Sequence, residues 1–147
     1  MTRLLELIER AKQTGDYDVL IEAVPYARWL GMSASHFDGE LVTKLKFSDP
    51  LIGNPALPAL HGGVIGALLE SAAIFQLFWE AETVVIPKTI NFTVSYLRSA
   101  RPVDTFAHAL ITKHGRRVAS VRVEAWQEDR FRPVAGATVN LLIHPPE

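Results

Sequence analysis

The chain has 147 residues, of which 48% are apolar, 15 are Lys or Arg and 16 are Asp or Glu. This length is typical of one domain, and such a domain buries roughly 70% of the surface of its unfolded chain. A formal charge of −1 argues against general polyanion binding, so we expect neither a nucleic-acid nor a membrane partner. The absence of cysteine excludes disulfide scaffolds, thiolate zinc sites and cysteine nucleophiles.

The first twenty residues interleave acidic and basic side chains with apolar ones, which is not the pattern of a secretory signal. We therefore expect a cytoplasmic protein. Two amphipathic stretches, about 3–13 and 17–24, predict helices that cap the domain. Gly15 and Pro25 mark their ends.

Two strands are predicted at residues 32–36 and 40–47. They flank Phe37-Asp38-Gly39, and Asp-Gly is a strong hairpin signal. Residues 51–60, which contain two prolines, predict an irregular loop.

The segment 64–79 is apolar on every side but contains Glu70 and Gln76. It is too short for a membrane span, and a carboxylate in mid-span is costly in lipid. The segment therefore predicts a helix surrounded by other protein structure.

The C-terminal half changes to a period of two. Residues 89–96 alternate polar and apolar side chains, which predicts a half-buried strand. Three more strands are predicted at 106–113, 117–126 and 134–143, with turn residues between them. We expect these four strands to form an antiparallel meander.

An antiparallel sheet curved around the apolar helix satisfies both patterns, because the helix needs cover and the strands need one apolar layer. The predicted fold class is α+β. No repeat or linker divides the chain, so we predict a single domain overall. Its parts are an N-terminal helical segment, residues 1–28, and a main unit, residues 29–147.

Gly62 and Gly63 lie where the loop meets the buried helix. Their amide N–H groups are among the donors that a helix N-terminus leaves unpaired. Such donors stabilise negative charge, and glycine lets a ligand approach the backbone closely, so this corner is a candidate oxyanion hole. The alternative is an ordinary turn at the start of a helix.

Glu70 lies eight residues after Gly62. This spacing is roughly 12 Å along the axis, so Glu70 does not reach the glycine corner of its own helix. A carboxylate in an apolar helix is paired, hydrogen-bonded, neutralised or functional. If two chains pack with these helices antiparallel, Glu70 of one faces Gly62 of the other, which predicts a site shared across a dimer. The alternative is a polar crevice or subunit contact without chemistry.

His61 and Asn54 each have two interpretations. His61 is a general base, or it fixes the turn by hydrogen-bonding the backbone, which its position before two glycines favours. Asn54 is a catalytic amide or a turn former next to Pro55. The other histidines lack metal-ligand spacing, so no metal is expected. The sequence also lacks a serine-nucleophile elbow and a phosphate-binding glycine loop.

Three stretches occur in a characteristic order: NPALPALHGGVIGALLESAA, TINFTVSYLRSARP and ITKHGRRVASVRVEAW. Together they resemble the hot-dog-fold acyl-CoA thioesterases, specifically the phenylacetate-degradation (PaaI-like) branch, over residues 29–143. The resemblance implies a curved antiparallel sheet wrapped around one long central helix. It also implies hydrolysis of an acyl-CoA to free acid and coenzyme A, with no further cofactor, by a homodimer or homotetramer.

The resemblance also implies roles for individual residues. Glu70 is the catalytic carboxylate, acting as general base or as a nucleophile that forms a mixed anhydride, and the Gly62 amide polarises the thioester carbonyl. Asn54 positions the water or the thioester, and His61 belongs to the same catalytic corner. Thr89 lines the pocket, and basic side chains near the coenzyme A arm suit its phosphates. The implied substrate-binding residues are Gly63, Thr89, Tyr96, Arg98, Arg101, Lys113, Gly115, Arg116 and Arg117.

Two other functions stay open at this stage. One is a hydratase or dehydratase on the same fold, although those enzymes do not place the histidine directly before the glycine pair. The other is a non-catalytic acyl-CoA-binding module. The identity of the acyl group is open as well.

Overall fold

The structure is a computed structural model, and it describes residues 2–81 and 86–144. The described helices are α1 (Thr2–Thr14), α2 (Pro25–Trp29) and α3 (Gly62–Ala81), with short 3-10 helices at Tyr17–Ala23 and Asp49–Leu51. The strands are β1 (Met32–Phe37), β2 (Glu40–Leu45), β3 (Ile52–Asn54), β4 (Ala59–Leu60), β5 (Lys88–Tyr96), β6 (Thr105–His114), β7 (Val118–Trp126) and β8 (Ala135–Leu142).

Six of the strands form one antiparallel sheet in the order β1-β2-β6-β7-β8-β5. Alternate residues of β7, β8 and the first half of β6 are buried, and all three strands pack against α3. The first hairpin is the predicted one, since Asp38 and Gly39 adopt φ values of 52° and 80°. Those positive values are what a tight two-residue hairpin requires. The predicted combination of one sheet and one central helix is confirmed.

One side of α3 is left open by the chain itself. Between residues 62 and 78, the positions that are not buried are Gly62, Gly63, Ala67 and Glu70. Residues three or four apart share one side of a helix, so these positions form a stripe, which we call the open stripe. The expectation that the chain covers this helix on every side is therefore met except along the open stripe.

The meander prediction is wrong for β5. This strand pairs with β8 at the far edge of the sheet and not with β6, its neighbour in sequence. The chain after β5 runs across the end of the sheet, where the Leu97 amide donates to the Val134 carbonyl (2.8 Å) and the Leu60 amide to the Ala100 carbonyl (2.9 Å). These hydrogen bonds hold the segment after β5 beside the start of α3, and β5 remains at the edge of the sheet.

The regular alternation predicted for residues 89–96 is also interrupted. A register shift between Thr89 and Asn91 places Thr89 opposite buried Leu141 and Asn91 opposite Asn140. Thr89 therefore shares the sheet face that packs on α3, while Asn91 lies on the other face. Much of β5 is exposed in the single chain and not half-buried.

Three local predictions need correction. Residues 51–60 contain the hairpin β3–β4 and are not an irregular loop, because Ile52 pairs with Leu60. Residues 17–23 form a 3-10 helix, and the Asp16 carboxylate accepts the Asp18 amide at its start. Pro25 does not end a helix but begins α2, a position at which its missing N–H costs nothing.

The N-terminal helices share the core of the sheet. Leu4, Leu7 and Ile8 of α1 belong to the same buried cluster as the residues of α3. A division of the chain at residue 28 stays a prediction. Among the described residues, the helix Gly62–Glu80 is long and apolar enough to cross a membrane, and 67% of that stretch is buried within the fold.

The burial of α3 predicts a large difference between two leucine truncations. Leu68 is 0% exposed, whereas Leu110 is 61% exposed. Leu68→Ala removes buried methyl groups and should lower the free energy of unfolding by about 2 to 5 kcal/mol. The matched control Leu110→Ala should stay within about 0.5 kcal/mol of the parent chain. Urea unfolding measures both, and equal losses would contradict the burial of this face of α3.

Candidate active site

The candidate site begins at the first turn of α3, where His61 organises the backbone. The His61 Nδ1 accepts the Gly63 amide (2.8 Å), and its carbonyl accepts the amides of Val64 (3.1 Å) and Ile65 (3.3 Å). The imidazole therefore fixes the turn before the helix. The Gly62 amide forms no hydrogen bond within the part of the chain that the structure describes. It remains available to bind an oxyanion.

The hairpin β3–β4 supports this corner from behind. The His61 amide donates to the Leu51 carbonyl (2.9 Å). A Cβ at Gly53 would lie 2.6 Å from the His61 Cα, so only glycine permits this approach. The Asn54 Oδ1 accepts the Ala56 amide (3.0 Å), which gives the Asn54 side chain a turn-forming role in this structure.

Tyr96 lies on the other side of the helix start. Its hydroxyl donates to the Gly62 carbonyl at 2.8 Å. A Cβ at Gly62 would lie 3.3 Å from Cζ of the Tyr96 ring, and a Cβ at Gly66 would lie 3.9 Å from its hydroxyl. Tyr96 was expected at the coenzyme A arm; the structure shows it in contact with the glycine corner.

Glu70 is half-buried on the open stripe, two turns beyond Gly62. Its carboxylate has no hydrogen-bond or ion-pair partner among the described residues. The helix spacing separates it from Gly62 by roughly 12 Å along the axis. A single chain therefore does not bring the carboxylate to the free amide.

The edge strand β5 borders the open stripe. Thr89 is half-buried on the face toward α3. Phe92, on the same face, would contact a Cβ at Gly66 at 3.8 Å. The sequence analysis did not select Gly66 or Phe92 as site residues. Gly66 follows Gly62 by one helical turn, and this spacing indicates that the two glycines lie on the same side of the helix. The strand also exposes large apolar side chains at Ile90, Phe92, Tyr96 and Leu97.

The predicted basic residues separate into two groups. Arg98 and Arg101 line a cavity of about 230 Å³ together with Arg132, which sequence reasoning missed. The Arg98 Nε donates to the Pro133 carbonyl (3.1 Å), and Arg101 pairs with Glu128.

The second group lies on the β6–β7 hairpin, which Gly115 closes by donating its amide to the Val118 carbonyl (2.9 Å). The residues Lys113, Arg116 and Arg117 are exposed around this turn. The two basic groups flank opposite ends of β7, which has nine residues. They are therefore separated by roughly 26 Å within one chain.

Another cavity, of about 410 Å³, lies on the sheet face opposite α3. Its lining includes Glu40, His108 and Arg130. The hydrogen bond from Arg130 holds the pKa of Glu40 below its ordinary value, against the opposing effect of burial. None of the predicted site residues lines this cavity. In residues 2–81 and 86–144, no three His, Asp or Glu side chains converge to hold a metal ion.

Comparison with known proteins identifies the family. A family model described as the thioesterase superfamily matches residues 57–132, just over half of the chain. The Medium/long-chain acyl-CoA thioesterase YigI of Escherichia coli is 27% identical over 157 aligned positions, which cover 97% of this chain and 99% of that protein.

Two solved structures add to this. A protein from Chromobacterium violaceum is 40% identical, with a TM-score of 0.76 and 100% of both chains covered. A phenylacetic acid degradation-related protein from Ralstonia eutropha is 26% identical, with a TM-score of 0.72, 82% of this chain and 90% of that chain covered.

The sheet and its central helix thus form a hot-dog fold, as the resemblance implied. The chain belongs to the thioesterase superfamily, and its class of activity is thioester hydrolysis. The resemblance drawn from the HGG corner and the two strand motifs is confirmed.

The contact between His61 and the Gly63 amide predicts a specific pattern of stability. His61→Ala removes the acceptor at the helix N-terminus and should cost about 0.5 to 2 kcal/mol of unfolding free energy. His61→Asn keeps an acceptor at a similar distance from the backbone and should retain most of that stability. Thermal or urea unfolding distinguishes the two variants. An Ala variant as stable as the Asn variant would show that the imidazole does not cap the helix.

Proposed function

We propose that this protein hydrolyses acyl-CoA thioesters to a free acid and coenzyme A, in a site that two chains share. Gly62 of one chain supplies the oxyanion donor, and Glu70 of the other activates water or attacks the carbonyl. The supporting observation is that the free Gly62 amide and the unpartnered Glu70 carboxylate lie on one open helix side, too far apart to cooperate within a chain.

A second copy of the chain is the proposed cover for the open stripe. The small residues Gly63 and Ala67 let another helix approach closely, and β5 presents unpaired edge groups beside exposed apolar side chains. A two-fold axis perpendicular to the two α3 helices pairs such surfaces with themselves and makes the helices antiparallel. Glu70 then approaches the partner's Gly62, and each dimer contains two sites. A homotetramer built from two dimers is proposed on the resemblance alone.

The proposed chemistry uses few groups. In one route Glu70 takes a proton from water as the water oxygen attacks the thioester carbonyl. In the other the Glu70 carboxylate attacks and the mixed anhydride is then hydrolysed. In both routes the carbonyl oxygen becomes an oxyanion bound by the Gly62 N–H, and the carbon–sulfur bond breaks to release the thiolate of coenzyme A. No metal or further cofactor takes part.

The same two-fold axis brings the two basic groups together. The β6–β7 hairpin and the start of β5 lie at the same end of the sheet, because Val118 and Lys88 both pair with Leu142. Antiparallel pairing of two β5 edges places that end beside the partner's Arg98 and Arg101. Guanidinium groups from both chains then face the pyrophosphate and 3′-phosphate of coenzyme A.

The acyl group is proposed to lie against Thr89 and the apolar side chains of β5 and α3. The relative from Escherichia coli is named a medium/long-chain acyl-CoA thioesterase. Exposed Phe92 near Gly66 is compatible with an aliphatic or aromatic acyl group. A panel of acyl-CoA substrates scored by kcat/KM decides between these. A cytoplasmic location, with no nucleic-acid or membrane partner, also belongs to the proposal.

Two inactive variants should restore activity when they are combined. Glu70→Gln removes the base or nucleophile and should lower kcat by about 10²-fold or more. Gly62→Pro removes the amide donor at the first position of α3, where proline is tolerated, and should lower kcat by about 10²- to 10³-fold. A heterodimer of the two chains contains one site with both functional groups, so it should recover about half of the parent activity.

Co-expression with two affinity tags and release of free thiol measure this recovery. Gly62→Ala is the matched control, because it adds the same Cβ beside Tyr96 but keeps the N–H. A heterodimer as inactive as both homodimers would place the whole site within one chain. A folded Glu70→Ala protein with full turnover would remove Glu70 from the chemistry altogether.

The phosphate contacts predict a selective loss of binding. Arg116→Gln with Arg117→Gln should raise the KM for an acyl-CoA several-fold while kcat changes little, because ion pairs made by exposed side chains are each worth about 0.2 to 1 kcal/mol. The same variant should hydrolyse an acyl-N-acetylcysteamine thioester, which lacks the nucleotide, as well as the parent does. Equal losses on both substrates would rule out phosphate recognition by this hairpin.

A further inference from the structure

We propose that Tyr96 is a positioning residue that aims the Gly62 amide at the oxyanion, and not a contact for the coenzyme A arm. This inference rests on the proposed function, since it assigns a cause to the direction of the oxyanion donor. The observation that carries it is the 2.8 Å hydrogen bond from the Tyr96 hydroxyl to the Gly62 carbonyl.

The direction of the Gly62 N–H depends on the two peptide units that meet at the Gly62 Cα. The unit before it is held at its carbonyl end, because the His61 carbonyl accepts the amides of Val64 and Ile65. The unit after it is held at both ends. Its carbonyl accepts the Tyr96 hydroxyl, and its N–H, which belongs to Gly63, donates to the His61 imidazole.

Glycine is the residue for which such restraints matter most. Without a Cβ, Gly62 has a wider choice of φ and ψ than any other residue, and a free amide at a helix end adds no restraint of its own. Fixing the plane of the following peptide unit removes part of that freedom. An oxyanion donor stabilises the transition state only when its direction is set in advance, because reorientation during the reaction costs free energy.

The Tyr96 side chain is well placed to supply a fixed restraint. Its backbone pairs with Ala135 of β8, so the ring projects from an ordered sheet. The ring also lies against the positions where Gly62 and Gly66 would carry Cβ atoms. The hydroxyl proton is engaged with the Gly62 carbonyl and cannot at the same time donate to a substrate.

The experiment compares Tyr96→Phe with Tyr26→Phe in the full-length protein, on an acyl-CoA that the parent hydrolyses. Both changes remove one hydroxyl from a similarly exposed tyrosine, since Tyr96 is 56% and Tyr26 58% exposed. Tyr96→Phe keeps the ring and should fold, which urea unfolding checks. Its kcat should fall by about 3- to 10-fold with KM nearly unchanged, because one neutral hydrogen bond that orients the donor is lost. Tyr26→Phe should match the parent in both constants.

A double-mutant cycle tests whether Tyr96 acts through Gly62. In Gly62→Pro the donor is already absent, so adding Tyr96→Phe should lower the residual kcat by less than 2-fold. A hydroxyl that contacts substrate directly would cost its full factor in both backgrounds. A merely structural role of Tyr96 would lower stability in both backgrounds without this loss of additivity.

The outcomes separate this inference from the proposed function. It is overturned if Tyr96→Phe raises KM and leaves kcat unchanged, if it has no effect, or if its effect is the same in the Gly62→Pro background. In each case a parent enzyme that loses turnover on Glu70→Gln still supports the proposed hydrolysis. A parent that releases no thiol from a broad acyl-CoA panel refutes the proposed function, and the inference about Tyr96 fails with it.

Discussion

A helix must begin somewhere, and its first amides have no carbonyl one turn earlier to accept them. In this protein that constraint falls at Gly62, on the open stripe of α3. The His61 side chain accepts the Gly63 amide, and the His61 carbonyl accepts the amides of Val64 and Ile65. The Gly62 amide has no acceptor among the described residues, and neighbouring groups restrain the backbone on either side of it. The hairpin β3–β4 fixes the preceding backbone, and Tyr96 bonds to the carbonyl that follows.

The position of Glu70 follows from the same helix. A long apolar helix is stable in water only if it is covered, and between residues 62 and 78 the sheet and N-terminal helices cover α3 except along the open stripe. A carboxylate on that stripe is neither fully solvated nor paired within the described chain. The proposed dimer accounts for the uncovered stripe and for the unpaired carboxylate. A second copy covers the small residues and brings the carboxylate to a free amide. Assembly and catalysis then depend on the same surface.

The edge strand β5 is common to the proposed dimer and to the proposed substrate site. Because β5 pairs with β8 and no other described strand pairs with it, its second edge is available to a strand of another chain. The basic residues that flank opposite ends of β7 are separated by roughly 26 Å within one chain. A two-fold axis at β5 reverses one sheet relative to the other and brings these groups to the same end. The placement of β5 thus underlies both the proposed dimer and the proposed phosphate site.

The sequence by itself determined most of the helices and strands and the identity of the chemical groups. Apolar residues on all sides predicted α3, alternation predicted the strands, and Asp38-Gly39 predicted the first hairpin, because each signal depends on neighbours within a few residues. The HGG corner and Glu70 could also be identified from the sequence, because a glycine pair before a helix and a carboxylate within an apolar helix are both local features.

Only the tertiary structure decided relations between residues far apart in sequence. It placed β5 beside β8, turned residues 52–60 into a hairpin, and brought the Tyr96 hydroxyl to the Gly62 carbonyl, 34 positions away. Local patterns carry no information about which strand becomes the neighbour, because strand pairing depends on how the whole core is buried. For the same reason the sequence did not indicate the hydrogen bond between Tyr96 and the start of α3.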